Sequence, residues 1–99
     1  MAEISLSVYQ NRLDDLLAKG QFNEVIAHSR HILVEYPKNL KAYSQMGQAL
    51  FAASRWDESA ELFRRLLGAL PGDFAAHYHL GQIYQHLEQI DDAIWHTER

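Results

Sequence analysis

Six histidines in a chain of 99 residues are the first candidates for chemistry. His28 and His31 are three apart, a spacing at which two helical imidazoles can share an ion. No His-Glu-x-x-His pattern, the zinc-and-base arrangement of metalloproteases, accompanies them. His77 and His79, two apart, point to different faces of a helix. His79 and His86 share a face but stand about 10.5 Å apart along the axis, too far to chelate one ion. The absence of cysteine removes thiolate metal sites, disulfides and cysteine nucleophiles. Serine, histidine and aspartate all occur, yet without a nucleophile elbow, a phosphate-cradling glycine loop or a spaced carboxylate pair. Asp14-Asp15 and Asp91-Asp92 are merely adjacent, and acids in the position of Asp91 and Asp92 suit the positive end of a helix. The residues give no catalytic set, no metal site and no cofactor, so the chain reads as a non-enzyme.

The elements that would carry these residues repeat every 34 positions. Pro37 recurs as Pro71, Gly47 as Gly81, and Tyr43 is echoed by His77. Ser5, Asn39 and Asp73 fall on one beat, and Asn23, Asp57 and Asp91 on another. Each unit reads as two helices: the first at 6–19, 40–53 and 74–87, the second at 22–35, 57–70 and 91–99. Ser5, Asn39 and Asp73 precede first helices, and Asn23, Asp57 and Asp91 begin second ones. Their short oxygens suit the unsatisfied N–H groups of a first turn. Pro37 and Pro71 end the second helices, having no donor and a fixed φ. Gly20 suits the left-handed turn inside the first unit, where Ser54 and Glu88 are the equivalents. A period of this length denotes stacked supersecondary units that build a surface more often than a pocket.

Composition sets wider bounds. The chain makes one small domain, residues 1–99, with 47% hydrophobic and 22% charged residues. A net charge of −4 and a pI near 5.8 argue against nucleic acid. Lys38, Lys41, Arg55, Arg64 and Arg65 alternate with acids rather than forming a basic stripe. No apolar run reaches the roughly 18–20 residues of a membrane span, and the N-terminus does not read as a signal peptide. The expected location is cytoplasmic.

The run Tyr43-x-x-Met46-Gly47-x-x-Leu50, followed by Ser59, Phe63 and Pro71, resembles the tetratricopeptide repeat. His77-x-x-Leu80-Gly81-x-x-Tyr84 with Ala93 repeats the match. The resemblance implies an all-α fold of stacked antiparallel hairpins in a right-handed superhelix, with repeats at 6–39, 40–73 and 74–99, the last incomplete. Two and a half to three repeats are therefore expected. Gly47 and Gly81 would let the second helix of a unit close on the first. Tyr43, Met46, Leu50, Phe63, Leu66, Leu80 and Tyr84 should be mostly buried. Leu13 and Val25 replace the small residues of the first unit, so its helices should splay.

One strip of the first helices separates the ends of the stack. Ala42, Met46, Ala49 and Ala53, then Ala76, Leu80, Ile83 and Leu87, are packing residues. Their counterparts Val8, Arg12, Asp15 and Lys19 suit an N-terminal cap. The chain stops about nine residues into its last helix, so Ile83, Leu87, Ile90, Ile94 and Trp95 are expected to form an oligomer interface, most simply of a homodimer.

The inner face of the first helices is the expected peptide-binding groove, with Gln10, Asp14, Lys41, Gln45, Gln48, Tyr78, His79, Gln82 and His86 as its residues. Repeats that grip the C-terminal carboxylate of chaperones use Lys, Asn and Arg here. Gln10, Asp14, Gln45, Ala75 and His79 do not supply them. The expected function is an adaptor for a protein or peptide partner, without nucleic acid or membrane. Self-assembly, or service as an accessory domain of a larger protein, is the alternative.

Overall fold

The computed structural model describes the backbone of residues 5–97 and the side chains of residues 5–88. Five α-helices follow one another: α1 Leu6–Ala18, α2 Phe22–Glu35, α3 Leu40–Ala52, α4 Trp56–Ala69 and α5 Phe74–Thr97. No strand occurs among the described residues. The first four helices form two hairpins, α1–α2 and α3–α4, and the first half of α5 packs on α4 and α3.

The first-helix caps act as their residue types require. Ser5 Oγ accepts from Val8 N at 3.2 Å, Asn39 Oδ1 from Ala42 N at 2.8 Å, and Asp73 Oδ1 from Ala76 N at 3.0 Å. The second helices start differently. Gln21 and Arg55 stand at the N-caps of α2 and α4, without a side-chain cap bond, and Asn23 and Asp57 lie inside the first turn. Asp57 therefore acts on the helix dipole rather than as a cap. The echo of Tyr43 in His77 also has a cause. Tyr43 donates its hydroxyl to the Pro37 carbonyl at 2.9 Å, and His77 Nε2 lies 2.7 Å from the carbonyl of Pro71. Each ties the start of a first helix to the proline turn before it.

Each packing strip is buried against the preceding hairpin. Met46, Ala49 and Leu50 cluster with Val25 and Ile26 of α2, while Ala76, Leu80 and Ile83 cluster with Ala60, Phe63 and Leu66 of α4. The corresponding residues of α1, Val8, Arg12, Asp15 and Lys19, are exposed. Within α3–α4, Ser59 donates its hydroxyl to the Gly47 carbonyl at 2.7 Å, and the Phe63 ring fills the space beside Gly47. Leu13 and Ser29 stand at the equivalent positions of the first hairpin, both buried, so the large and small partners are exchanged. A cavity of about 260 Å³ lined by Tyr9, Arg12, Leu13 and Leu16 of α1 and His28 of α2 opens on that hairpin.

The third unit departs from the repeat. No break separates 74–87 from 91–99; α5 is one helix of 24 residues. The turns of the first two units place Gly20 at φ 79° and Ser54 at φ 61°. Their equivalent is Glu88, for which the left-handed conformation costs about 1–2 kcal/mol. Leu87, Glu88 and Gln89 are good helix formers, so propagation is favoured over the turn. Two consequences follow from the missing fold-back. Tyr84, expected in the core, is 47% exposed, and its hydroxyl accepts from Arg64 Nε of α4 at 3.1 Å instead. Gly81 is exposed as well, with nothing within 4 Å of an added Cβ among the described residues.

Candidate binding surface

The polar face of α3 and α5 is built by the same repeat. Lys41, Ser44, Gln48 and Ala52 on α3 correspond to Ala75, Tyr78, Gln82 and His86 on α5, each pair 34 positions apart. These residues lie opposite the stripes that bury Met46, Leu50 and Leu80. Tyr78 is 55% exposed, Lys41 is exposed, and Gln48, Gln82 and His86 are half-buried. Gln48 donates to the Ser44 hydroxyl at 3.0 Å, which holds its amide along the helix.

Two of the glutamines expected in the groove are not on its surface. Gln45 is 2% exposed and Gln10 5%. Gln45 Nε2 donates to the Gln10 carbonyl and to Asp14 Oδ1, both at 2.8 Å, and Gln10 Nε2 donates to Asn39 Oδ1 at 2.9 Å. The two amides thus clamp α1 to α3 from within. A helical wheel places amides on the polar side but does not tell that a neighbouring helix closes over them. Asp14 completes the clamp and pairs with Lys41 Nζ at 3.3 Å. The two fixed charges expected in the groove therefore cancel at one edge, leaving an uncharged polar strip.

His79 occupies the position of Gln45 one repeat later and is likewise wedged between elements. Its ring stacks on Phe63 with centroids 4.8 Å apart and meets Phe51 edge-on at 5.0 Å. Burial lowers its pKa below the ordinary value of 6.5. Nδ1 is buried without a hydrogen-bond partner among the described residues, so the neutral ring is the form that fits. His86 stacks on Trp56 at 4.3 Å with the planes 5° apart. Phe51 and Trp56 were not among the residues expected here. Their signal in the sequence was the pair of aromatics flanking the α3–α4 turn.

His28 and His31 make local contacts. The Tyr9 hydroxyl lies 2.5 Å from His28 Nδ1. His31 Nε2 and Glu35 Oε1 are 3.7 Å apart on an exposed face, a pairing that their i, i+4 spacing already permitted. Among the described residues no group of three histidines or acids is arranged to hold a metal ion. No helix among them is long and apolar enough to cross a membrane.

Of the residues expected at an oligomer interface, Ile83 is fully buried in the core with Phe63 and Leu80, so it is not available to a partner. Leu87 is half-buried at the edge of that core. Ile90, Ile94 and Trp95 lie outside the residues whose side chains are described.

A family model described as tetratricopeptide repeat matches residues 50–94. No curated protein and no solved structure matches the chain.

Proposed function

We propose that this chain, whose residues 50–94 belong to the tetratricopeptide repeat family, holds a segment of a partner protein against the polar strip of α3 and α5. Members of this family are generally protein-interaction modules and are typically non-catalytic. The observation that carries the finer reading is the row of side chains at least partly exposed there: Lys41 and Gln48 on α3, Tyr78 and Gln82 on α5. Glutamine amides both donate and accept, so they can pair with the backbone of an extended or helical segment. Tyr78 offers a ring for stacking. With Asp14 and Lys41 paired to each other, recognition rests on hydrogen bonds and apolar contact rather than on charge. Binding should then depend only weakly on salt.

The test begins with a displayed library of random peptides selected on the intact chain. Selected peptides are then titrated calorimetrically into the chain and into the Gln48→Glu, Gln82→Glu variant. A loss of about tenfold or more is expected, since each new carboxylate removes a donor. Unchanged affinity, with helicity intact by circular dichroism, would remove this strip from the mechanism.

Self-association is a second reading, favoured by one observation. Helix α5 continues to Thr97, well past Leu87, which packs at the edge of the core formed with α4.

A further inference from the structure

We infer that the cavity on the first hairpin is a binding site for a small organic carboxylate, a free acid whose apolar body is about the size of one ring. It lies on α1 and α2, apart from the polar strip of α3 and α5, so the inference stands independently of the function proposed above. Tyr9, Arg12, Leu13 and Leu16 of α1 and His28 of α2 line a space of about 260 Å³. Leu13 is 1% exposed and Leu16 is half-buried, which gives the site an apolar inner wall. Sites for drug-sized ligands run to about 300–1,000 Å³. This smaller space suits a single ring with a short acidic side chain.

The other side chains of the cavity select an anion. Arg12 is exposed, and neither Asp15, one turn further along α1, nor any other acid among the described residues pairs with it. No acid lines the cavity. The planar fork of an arginine can hold both oxygens of a carboxylate through two parallel hydrogen bonds. On the α2 side, the Tyr9 hydroxyl bonds His28 Nδ1, and the two rings meet edge-on with centroids 5.4 Å apart. With that hydroxyl donating, the imidazole carries its proton on Nε2 and keeps a second N–H for the anion.

The same notch recurs one repeat later with the opposite charge. Arg12, Leu16 and His28 correspond to Met46, Leu50 and Leu62, and those three line a cavity whose other residues are Asp57, Glu58 and Glu61. A polar terminal face accounts for a charge at residue 12, and Asp15 and Lys19 meet that need equally. It does not account for an arginine and a histidine standing together beside an apolar cavity. A carboxylate is repelled from the second notch and attracted to the first, so it has one place to go.

Phenylacetate is the probe, titrated into the intact chain and followed by nuclear magnetic resonance of the leucine methyl and arginine Nε–H groups. It should shift the signals of Arg12, Leu13 and Leu16 saturably, with a dissociation constant of about 0.1–1 mM, ordinary for a ligand of about ten non-hydrogen atoms. Phenylacetamide, of the same shape without the charge, should bind about tenfold more weakly. Arg12→Gln should weaken phenylacetate by about tenfold and leave phenylacetamide unchanged. Lys19→Gln, an equal loss of charge on the same exposed strip, should change neither. A tripeptide ending in phenylalanine with a free carboxylate should bind no more tightly than phenylacetate. A gain of about tenfold for the tripeptide would assign the cavity to the end of a protein chain and overturn the free acid as its occupant. The absence of saturable shifts, equal binding of acid and amide, or equal weakening by the two variants would overturn the site itself.

Discussion

Phe63 Cζ lies 2.9 Å from the point at which a Cβ on residue 47 would stand. Two further ring atoms are within 3.2 Å of it, and Phe63 is 1% exposed, so the ring has little room to retreat. Gly47 is therefore required by the space between helices rather than by a turn. Gly47→Leu should destabilise by about 1–3 kcal/mol through overpacking. A urea melt with an unchanged midpoint would show that the α3–α4 contact is looser than described.

The exchange of large and small residues in the first hairpin is open to a double-mutant cycle. Ser29→Phe beside Leu13 should cost about 1–3 kcal/mol, and Leu13→Gly about 3–5 kcal/mol from cavity formation and backbone freedom. The double variant restores the pairing seen at Gly47 and Phe63. Its cost should be smaller than the sum of the single costs by at least about 1 kcal/mol. Strict additivity in denaturant melts would show that the two positions do not share one space.

The hairpin turns make opposite predictions for two substitutions. Ser54 sits at φ 61° and Gly20 at φ 79°. Ser54→Gly should stabilise, and Gly20→Ala should destabilise, each by about 1 kcal/mol. Thermal melts of the two variants should therefore move in opposite directions from the parent.

His79 makes stability depend on pH with a definite sign. Its folded pKa lies below the ordinary 6.5 because burial disfavours the imidazolium. The rings against it, Phe51, Phe63 and Tyr78, offer no compensating charge. Below pH 6.5 the unfolded chain takes up the proton more readily than the folded one. The stabilisation from neutral His79 is thus complete above that pH and is lost as the pH falls from there through the lower folded pKa. His79→Phe keeps an aromatic ring and removes the proton site. Denaturant midpoints from pH 7.5 down to pH 5 should fall more steeply for the parent than for this variant. Parallel curves would mean that the ring is hydrated well enough to titrate normally.

How far the sequence was legible depended on which force decided each point. The proline turns and first-helix caps are set by local stereochemistry, and they stand where the 34-residue period puts them. The continuity of α5 is a contest between that period and local propensity. At Gly20 and Ser54 the turn prevails, whereas at Glu88 the helix continues. The polar side of the first helices was legible as a face but not as a list of exposed residues. Lys41, Gln48, Tyr78 and Gln82 lie on its surface, while Gln10 and Gln45 are drawn inward by the approach of α1 to α3. Such closure depends on a neighbour 31 to 35 positions away, which periodicity within one helix does not register.

The inverted sizes at Leu13–Ser29 and Gly47–Phe63 also bear on how a repetitive chain finds its correct neighbours. Helices of similar pattern invite mispairing during folding, a known hazard of repeat proteins. If α1 took α4 as its hairpin partner, Leu13 would confront Phe63; if α3 took α2 as its hairpin partner, Gly47 and Ser29 would leave a void. Each wrong partner is thus too crowded or too empty. The chain carries in four positions an address that tells its two hairpins apart, both within one molecule and between molecules at high concentration.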